Sequence, residues 1–551
     1  MRPLSLRRVI TASLVILLPL LTIAALHGQG PDDQDPRVVP NGTQFPNPSG
    51  TSSTYSTAGG IDLTGPFFQS IGTNGRSCGS CHQPSDGMSV SAAHIQERFE
   101  DTRGLDPIFR TIDGSNCNHD IDVSSVSGRR AAYSLLRTRG LIRIALAVPA
   151  TADFQIVSVD NRYGCSEMDH ISMYRRPLPA TNLQFLSTVM WDGRESSPAT
   201  GTSKILFSNY PTSLLNDLAH QSVDATSGHA QGDGTRPTPI EQQQIVNFET
   251  ALFTGQTTGS DVGRLNARGA NGGPTPLVDQ PFFISINSSV NVLLPQFEQP
   301  GGLVSPGDGQ FSPTIFNAFD AWADLRDPDR QAVVRGQLLF NSKPITITGV
   351  KGINDDVAEG GLLAGGIPSL QGTCGTCHDT PNVGNHSFPT PLNIGVGDPN
   401  PGDPSVNLGG LDIRYLPTIT VCKKDVTTGL PTNNCIATTD LGQALIDGKF
   451  DHAGKLKGPI LRALSARAPF FHNGSARTLL DVVRFYEVRF GVVFTAREEA
   501  DLVAFLRVLC PGLSAASRRS SSSSRRSCGS LVEPGGRLRW LASRGSASRA
   551  C

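Results

Sequence analysis

The feature that most constrains this chain is a short cysteine–histidine motif that occurs twice. The first copy reads SCGSCHQ at residues 77–83, and the second reads TCGTCHD at residues 373–379. Each copy supplies two cysteines and a histidine: Cys78, Cys81 and His82, and then Cys374, Cys377 and His378. The spacing C-x-x-C-H is the attachment signature of c-type haem, because two thiols one helical turn apart can bond one porphyrin and the next imidazole can bind its iron. Zinc or a disulfide is the alternative, although a disulfide needs no histidine and zinc usually takes more distant ligands.

The amino terminus is typical of an exported protein. The basic start MRPLSLRR is followed by the apolar stretch VITASLVILLPLLTIAAL. This order is typical of a secretory signal. An uncleaved membrane anchor is the alternative for residues 1–30, because Leu26-His27-Gly28 is a poor small-x-small cleavage site. Since bacteria attach c-type haem outside the cytoplasm, both interpretations predict a periplasmic protein.

The composition limits the partners that this chain can have. It has 551 residues, a net charge of -1 at pH 7 and only 17% charged residues. Such a balance argues against binding to nucleic acid or to an anionic membrane surface. The 58 glycines and 39 prolines favour a loop-rich protein with long insertions, and the length allows two or three domains.

The cysteines outside the two motifs suggest cross-links. Cys117 and Cys165 flank one insertion, and Cys422 and Cys435 flank a short loop. Both pairs are candidates for disulfides in an oxidising compartment, although spacing alone does not determine the pairing. The three remaining cysteines lie in or near the tail and receive no role: Cys510, Cys528 and Cys551.

Hydrophobic periodicity predicts helices around both motifs. Helical spacing of three and four residues relates four positions after the first motif: Ile245, Phe248, Glu249 and Leu252. The same pattern appears in PTIFNAFDAWADL and in DPDRQAVVRGQLLFNS, ahead of the second motif. Residues 476–509 contain two more predicted helices, and Thr495 with Glu498 forms a capping box for the second.

Two such motifs in one exported chain resemble the bacterial di-haem cytochrome c peroxidase and MauG superfamily. Four further stretches carry the likeness: RRPLPATNLQFLSTVMWDGR, QQIVNFETALFT, RGQLLFNS, and GPILRALSARAPFFHNGSARTLLDVVRFY with DLVAFLRVL. The likeness covers about residues 61–82, 174–255 and 328–510. It implies a mainly α fold, with two cytochrome c-like haem domains that carry long loop insertions.

The resemblance and the composition together predict the order of segments along the chain. These are a signal peptide or anchor at 1–30, a flexible leader at 31–60, an N-terminal haem domain at 61–255 with an insertion at 83–173, a crossover at 256–327, a C-terminal haem domain at 328–512 and a disordered tail at 513–551.

By position, the resemblance also assigns roles to single residues. His82 and His378 would bind the two irons. Trp191 would lie between the haems and help electrons cross, and an ordinary core tryptophan is the alternative. Tyr486 falls where the electron-transfer haem takes its distal ligand, a methionine in the peroxidases and a tyrosine in MauG. Because the axial ligand strongly affects haem potential, this position is informative, although a packed helix tyrosine is the alternative.

The distal side of the first haem departs from the family pattern. The peroxidases carry an acid–base glutamate beyond the tryptophan, but LAHQSVDATSGHAQG has none here. His229 or Gln231 lies near the expected place, and a histidine can move protons, although a surface histidine is the alternative. Three histidines are candidates for a removable distal ligand, unless the site is open from the start: His170, His94 and His119.

The resemblance further suggests a calcium ion between the two domains. The backbone of Arg467 and Pro469 matches its carbonyl ligands, but Arg176 stands near the place of its asparagine ligand, which puts the calcium in doubt. His472 and Arg462 resemble residues near the junction of the haems.

The function implied by the resemblance is a periplasmic di-haem oxidoreductase. It would reduce hydrogen peroxide with electrons from a small cytochrome or cupredoxin, without nucleic acid, and a homodimer is a further expectation. A MauG-like or oxygenase-type enzyme acting on another protein or an organic substrate is the first alternative, favoured by Tyr486 and the missing glutamate. A non-enzymatic electron carrier with two six-coordinate irons is the second.

Overall fold

The computed structural model describes residues 37–186, 188–196, 212–278, 280, 316–355, 368–378, 391–399 and 411–509. The predicted signal or anchor at 1–30, the tail at 513–551, the cysteines assigned to the tail and much of the crossover lie outside these residues. None of the described helices is both long and apolar enough to cross a membrane.

The described residues combine helices and strands, with 33% helix and 20% strand. The prediction of a mainly α fold is therefore wrong. Many of the strands lie in the predicted leader, in the insertion at 83–173 and between residues 418 and 438, where β-branched and polar residues alternate, as in FQIVSVD and TITVCKK. Such alternation is typical of a half-buried strand. The prediction of a mainly α fold depended on the helical stretches around the motifs, which do not contain these strands.

Eleven α-helices lie within the described residues. They are α1 (Ala92–Thr102), α2 (Val126–Ala132), α3 (Ser134–Arg139), α4 (Thr212–His229), α5 (Pro239–Thr250), α6 (Thr275–Val278), α7 (Pro328–Ser342), α8 (Cys374–Cys377), α9 (Ala444–Asp447), α10 (Leu479–Phe490) and α11 (Ala496–Val508).

Thirteen strands lie within the same residues, and all their pairings are antiparallel. They are β1 (Val38–Pro40), β2 (Phe45–Asn47), β3 (Gly50–Ser56), β4 (Gly60–Asp62), β5 (Ile142–Ala147), β6 (Phe154–Asp160), β7 (His170–Arg175), β8 (Leu252–Gly259), β9 (Gly263–Arg264), β10 (Ile345–Ile347), β11 (Leu370–Gly372), β12 (Thr418–Lys424) and β13 (Pro431–Thr438).

The segment predicted as a flexible leader is ordered from residue 37 onward. Strand β1 pairs with β4, and β3 lies between β2 and β8 in a four-stranded sheet. The hydroxyls of Thr54 and Thr254 are 2.8 Å apart across β3 and β8. Because β8 directly follows α5, this pairing attaches the segment predicted as a leader to the part of the chain that contains α5.

The first insertion is a folded part of the molecule that joins its two halves. Strand β6 pairs with β12, which belongs to the second half, and β12 pairs in turn with β13. Phe154 and Ile156 of β6 are buried against Ile419 and Val421 of β12. Disulfides join Cys117 to Cys165 and Cys422 to Cys435, which confirms both predicted pairings.

Two packed helices support the second motif. Helix α7 packs along α11, and the contact is so close that a Cβ at Gly336 would lie 2.0 Å from the carbonyl oxygen of Asp501. The predicted capping box of Thr495 and Glu498 begins α11. Ahead of α7, however, the described part of PTIFNAFDAWADL forms only a 3-10 turn at Asp320–Trp322, where its aromatic rings pack on α7 and α11.

Candidate functional site

Each cysteine–histidine motif lies in the wall of its own cavity. Cys78, Cys81 and His82 line a first cavity. The second motif lines a second cavity. Most of the side chains that line the two cavities are apolar, which suits a large apolar group such as a porphyrin.

The first motif turns so that both thiols and the imidazole face one side. Cys78–Ser80 forms a 3-10 turn, and the His82 amide donates to the carbonyl of Cys78 at 3.0 Å. Gly79 allows the turn to lie against Phe68, because a Cβ at this position would approach the phenyl ring to 2.4 Å. The second motif repeats the arrangement on α8, where the His378 amide donates to the carbonyl of Cys374 at 2.9 Å.

The imidazole of His82 is prepared to bind a metal as a neutral ligand. Its Nδ1 lies 3.0 Å from the carbonyl oxygen of Met88, so Nδ1 carries the proton and Nε2 keeps the basic lone pair. Burial lowers the pKa of His82 to about 4, which keeps the ring neutral at pH 7. A carbonyl that orients the ligating ring in this way is the usual support for a metal-bound histidine.

The four motif cysteines are unpaired and their thiols are neutral. Burial raises the pKa of Cys78, Cys374 and Cys377 to about 12, and burial likewise raises the pKa of Cys81. Two neutral thiols and one neutral imidazole beside an apolar cavity are the donor set that a thioether-linked haem needs. The residues present therefore fit c-type haem at both sites, and the number of haems remains a proposal.

Trp191 lies in the wall shared by the two cavities, where the resemblance expects it. Its Nε1 donates to the carbonyl of Arg176 at 2.7 Å, and its own carbonyl accepts from the amide of Lys457 at 2.7 Å. Its ring packs edge-on against His472, with centroids 5.9 Å apart. The indole is therefore held from both halves of the chain.

A buried ionic cluster anchors the segment that carries Trp191. Arg175 donates to Asp192 at 2.5 Å and to Asp440 at 2.6 Å, and Asp192 also accepts from Arg194 at 2.8 Å. Burial raises the pKa of Asp192, but the neighbouring guanidinium groups outweigh it and the carboxyl stays ionised. Residues 191–194, which read WDGR, thus form a turn in which Asp192 pairs with Arg194. Arg175 connects this turn to Asp440 in the second half of the chain.

His229 lies in the wall of the first cavity and forms a dyad with Asp113. Its Nδ1 is 2.5 Å from Oδ2 of Asp113, and the same carboxylate accepts from the guanidinium of Arg76. Burial raises the pKa of Asp113, but His229 and Arg76 together bring it below its usual value. The charged carboxylate therefore holds the Nδ1 proton of His229 and leaves Nε2 as its basic atom. Gln231, the other candidate, is exposed beyond α4.

The three histidines considered as removable ligands lie elsewhere. His170 is exposed on β7, His119 binds Glu167 at 2.7 Å on the surface, and His94 lines a separate pocket beside Asp86. None of them lines the first cavity in the described part of the chain. All three belong to the first insertion, but they lie on different elements: His170 on β7, His94 on α1 and His119 in the connection from α1 to α2.

Tyr486 lies on α10 and lines the second cavity. The rings of Phe485, Phe490 and Phe471 surround it, and its hydroxyl has no hydrogen-bond partner among the described residues. Burial is the main cause that raises the pKa of Tyr486. The position thus suits the predicted ligand, whose role stays a prediction.

Glu249 is a cavity residue whose role the sequence analysis missed. It lies on α5 and lines the first cavity, and its buried Oε2 makes no hydrogen bond within the described residues. Burial raises its pKa to about 8. The sequence could have indicated this position, because Glu249 shares its predicted helix face with Ile245 and Phe248. In the structure these two residues pack in the same cluster as Cys78.

The place expected for calcium is taken by Arg176. Its guanidinium donates to the carbonyl of Arg467 at 2.5 Å, and that carbonyl was one of the expected calcium ligands. The residues present therefore do not fit calcium. His472 and Arg462, the other residues of this region, are buried, and burial lowers their pKa values to about 4 and about 10.

No family model matches the chain. Two curated proteins named cytochrome-c peroxidase IdrP2 are similar to it. The one from Denitromonas iodatirespirans is 36% identical over 99 residues, which is 17% of this chain and 27% of that protein. The one from Pseudomonas sp. (strain SCT) is 29% identical over 214 residues, which is 34% of this chain and 51% of that protein. The chain thus spans about half the length, or less, of these relatives, and the matches support the resemblance to bacterial cytochrome c peroxidases.

A solved MauG-like protein associated with microbial copper homeostasis is 14% identical to this chain. The alignment covers 82% of this chain and 89% of that one, with a TM-score of 0.28. A score of this size carries no argument about a common fold.

Proposed function

We propose that this protein is a di-haem c-type oxidoreductase that reduces hydrogen peroxide to water. The observation that carries the proposal is the pair of motif-lined cavities, which meet at one wall that contains Trp191. One peroxide, two electrons and two protons would give two waters, with the electrons taken singly from a small cytochrome or cupredoxin. The likeness to proteins named cytochrome-c peroxidase supports this reaction class.

The chain would hold one haem in each cavity. Bound haem supplies an iron that binds peroxide and accepts and donates the electrons. Cys78 and Cys81 would attach the first, and His82 would hold its iron through Nε2. The second motif would do the same in the second cavity. The apolar walls exclude water from both sites.

The dyad of His229 and Asp113 would handle protons in the first cavity. Nε2 of His229 takes a proton from incoming peroxide and returns it to the departing oxygen. Asp113 keeps the other ring proton at Nδ1 and stabilises the ring while it is charged. A positioned acid–base group of this kind contributes about 10²- to 10⁴-fold to a rate.

The wall between the cavities would carry electrons from the second haem to the first. Trp191 is held there by the Arg176 carbonyl and the Lys457 amide, so its ring keeps one orientation. Tyr486 would close the second site, which leaves the first as the site of peroxide chemistry.

A MauG-like oxidation of another protein is a second candidate, and Tyr486 is the observation that favours it. A phenolate ligand stabilises ferric iron and lowers the haem potential, which makes electron uptake from a cytochrome harder. Peroxide consumption that requires a reduced cytochrome supports the peroxidase. Consumption with only an oxidisable protein present supports the MauG-like enzyme.

We also propose that the protein works outside the cytoplasm. Its basic and apolar amino terminus supports export. The Cys117–Cys165 and Cys422–Cys435 disulfides support an oxidising compartment.

The test of the peroxidase is steady-state turnover of the purified holoprotein with peroxide and a reduced small cytochrome. His229→Gln should lower kcat about 10²-fold or more, because the cavity loses its acid–base group. His220→Gln is the matched control, since His220 lies on the same helix and also binds a carboxylate, Glu195 at 2.8 Å, yet does not line the cavity. Absent turnover without a high-spin ferric band would instead favour an electron carrier.

A further inference from the structure

Arg176 carries a buried charge at the junction of the two halves. Its side chain is buried, and the negative charge of Asp86 acts on it without a direct ion pair. A buried charge is costly unless hydrogen bonds satisfy it. The groups that accept hydrogen bonds from this guanidinium therefore show which parts of the chain it holds together.

Three carbonyl groups from distant parts of the chain surround the guanidinium. Nη1 donates to the carbonyl of Arg139 at 2.5 Å, at the end of α3. Nη2 donates to Val90 at 2.7 Å and to Arg467 at 2.5 Å. Val90 follows the first motif closely, whereas Arg467 belongs to the second half. One cation thus holds segments from both halves.

The backbone of Arg176 connects this carbonyl cage to the wall between the cavities. Its amide donates to the carbonyl of His472 at 2.7 Å, and its carbonyl accepts from Nε1 of Trp191 at 2.7 Å. His472 and Trp191 pack against each other. Displacement of the Arg176 side chain would therefore disturb the support of Trp191.

We propose that Arg176 is a built-in cation that replaces a dissociable metal ion at this junction. A calcium ion needs about six to eight oxygen ligands at roughly 2.3–2.6 Å, and the guanidinium already binds three carbonyls here, including that of Arg467, which was expected to bind the ion. A planar group with five donors suits carbonyls that approach from several directions. Unlike an ion, it cannot be removed by a chelator.

The positive charge of Arg467 opposes a second cation at this junction, although the negative charge of Asp86 acts there as well. The buried guanidinium of Arg467 lies close enough to lower the pKa of Arg176, although burial is the larger cause. Together they bring this pKa to about 9, so Arg176 remains charged at neutral pH. A divalent ion placed beside two guanidinium groups would be repelled. The inference concerns the junction and does not depend on the proposed reaction.

The first test uses the wild-type holoprotein. Its melting temperature, its haem spectrum and the rate of electron passage between the haems after pulse reduction should be the same in excess EGTA and in millimolar calcium chloride. Elemental analysis should find no bound calcium. A calcium-dependent melting temperature or stoichiometric calcium would overturn the proposal.

The second test removes the guanidinium. Arg176→Asn should lower the melting temperature in EGTA, and added calcium should recover part of the loss, because the carbonyls are released for an ion. Arg176→Lys keeps a charge and should lose stability without a response to calcium. The proposal would be refuted if Arg176→Asn kept the wild-type melting temperature in EGTA, or if calcium did not raise the melting temperature of this variant.

Arg143→Asn is the matched control for a buried arginine that binds backbone. Arg143 donates to the carbonyl of Ile112 at 2.5 Å and to the hydroxyl of Ser172 at 3.1 Å, all within the first insertion. This variant should lose stability with no response to calcium, and an equal response in both variants would contradict the assignment. If Arg176→Asn yields no holoprotein, the chelation measurement on the wild type decides alone.

Discussion

Replacement of Glu249 by glutamine should change how the stability of the holoprotein depends on pH. Burial raises the pKa of this carboxyl from 4.5 to about 8, and no described residue gives its buried Oε2 a hydrogen bond. In the unfolded chain it titrates near 4.5, so the folded state binds the proton more tightly. The stability that the protonated carboxyl permits is complete below pH 4.5 and is lost as pH rises through about 8.

The size of the effect follows from the shift. One pKa unit corresponds to about 1.4 kcal/mol. On folding, the Glu249 carboxylate must either take up a proton or be buried as an anion. This requirement lowers the free energy of unfolding by about 3 kcal/mol at pH 7 and by about 5 kcal/mol at pH 9. Glutamine has nearly the same shape and no charge. Glu249→Gln should therefore equal the wild type near pH 4.5 and be more stable by about these amounts at pH 7 and pH 9.

Guanidinium unfolding of the two holoproteins at pH 5, 7 and 9, followed by far-ultraviolet circular dichroism, measures this difference. Glu241→Gln is the control, since Glu241 lies on the same helix but has the opposite shift. A side-chain hydrogen bond from Arg236 is the main cause that lowers its pKa to about 2. Its contribution is lost only as pH falls below 4.5, so this variant should be parallel to the wild type from pH 5 to 9. Parallel curves for Glu249→Gln as well would refute the burial argument.

Three further changes address the cofactors and the wall. Cys374→Ala with Cys377→Ala should leave one covalent haem, and intact mass that still shows two would contradict the attachment. Tyr486→Phe should open a coordination site and change the ferric spectrum, and an unaltered spectrum would show that the ring is only packed in the core. Trp191→Phe should slow electron passage between the haems after pulse reduction, while haem content stays the same; an unchanged rate would place the path elsewhere.

Local sequence patterns predicted the parts of the structure that depend on local interactions. The Thr495 capping box, the helix through Ile245 and the helix before the second motif are present as expected. Each depends on residues within one or two helical turns, whose spacing is visible in the sequence. Trp191 was found through resemblance alone, since one tryptophan in a turn carries no local signal.

The remainder depends on contacts between residues far apart in the chain. Strand β6 pairs with β12 although Asp160 and its partner Thr418 are 258 residues apart, and no local pattern specifies such a partner. Asp113 supports His229 from 116 residues away, and Arg176 binds Arg467 from 291 residues away. A carboxylate or guanidinium in a loop has many accessible partners, so its role emerges only when the fold brings one close.

The two cavities are expected to supply one electron each to a single molecule of peroxide. Fully reduced holoprotein, with one electron in each haem, should be mixed anaerobically with one equivalent of hydrogen peroxide and followed by stopped-flow spectroscopy. Because one peroxide needs two electrons, both haems should be oxidised in a single turnover, and the second should be slower in Trp191→Phe. Oxidation of one haem only, or of neither, would contradict a two-haem peroxidase in which electrons cross the shared wall.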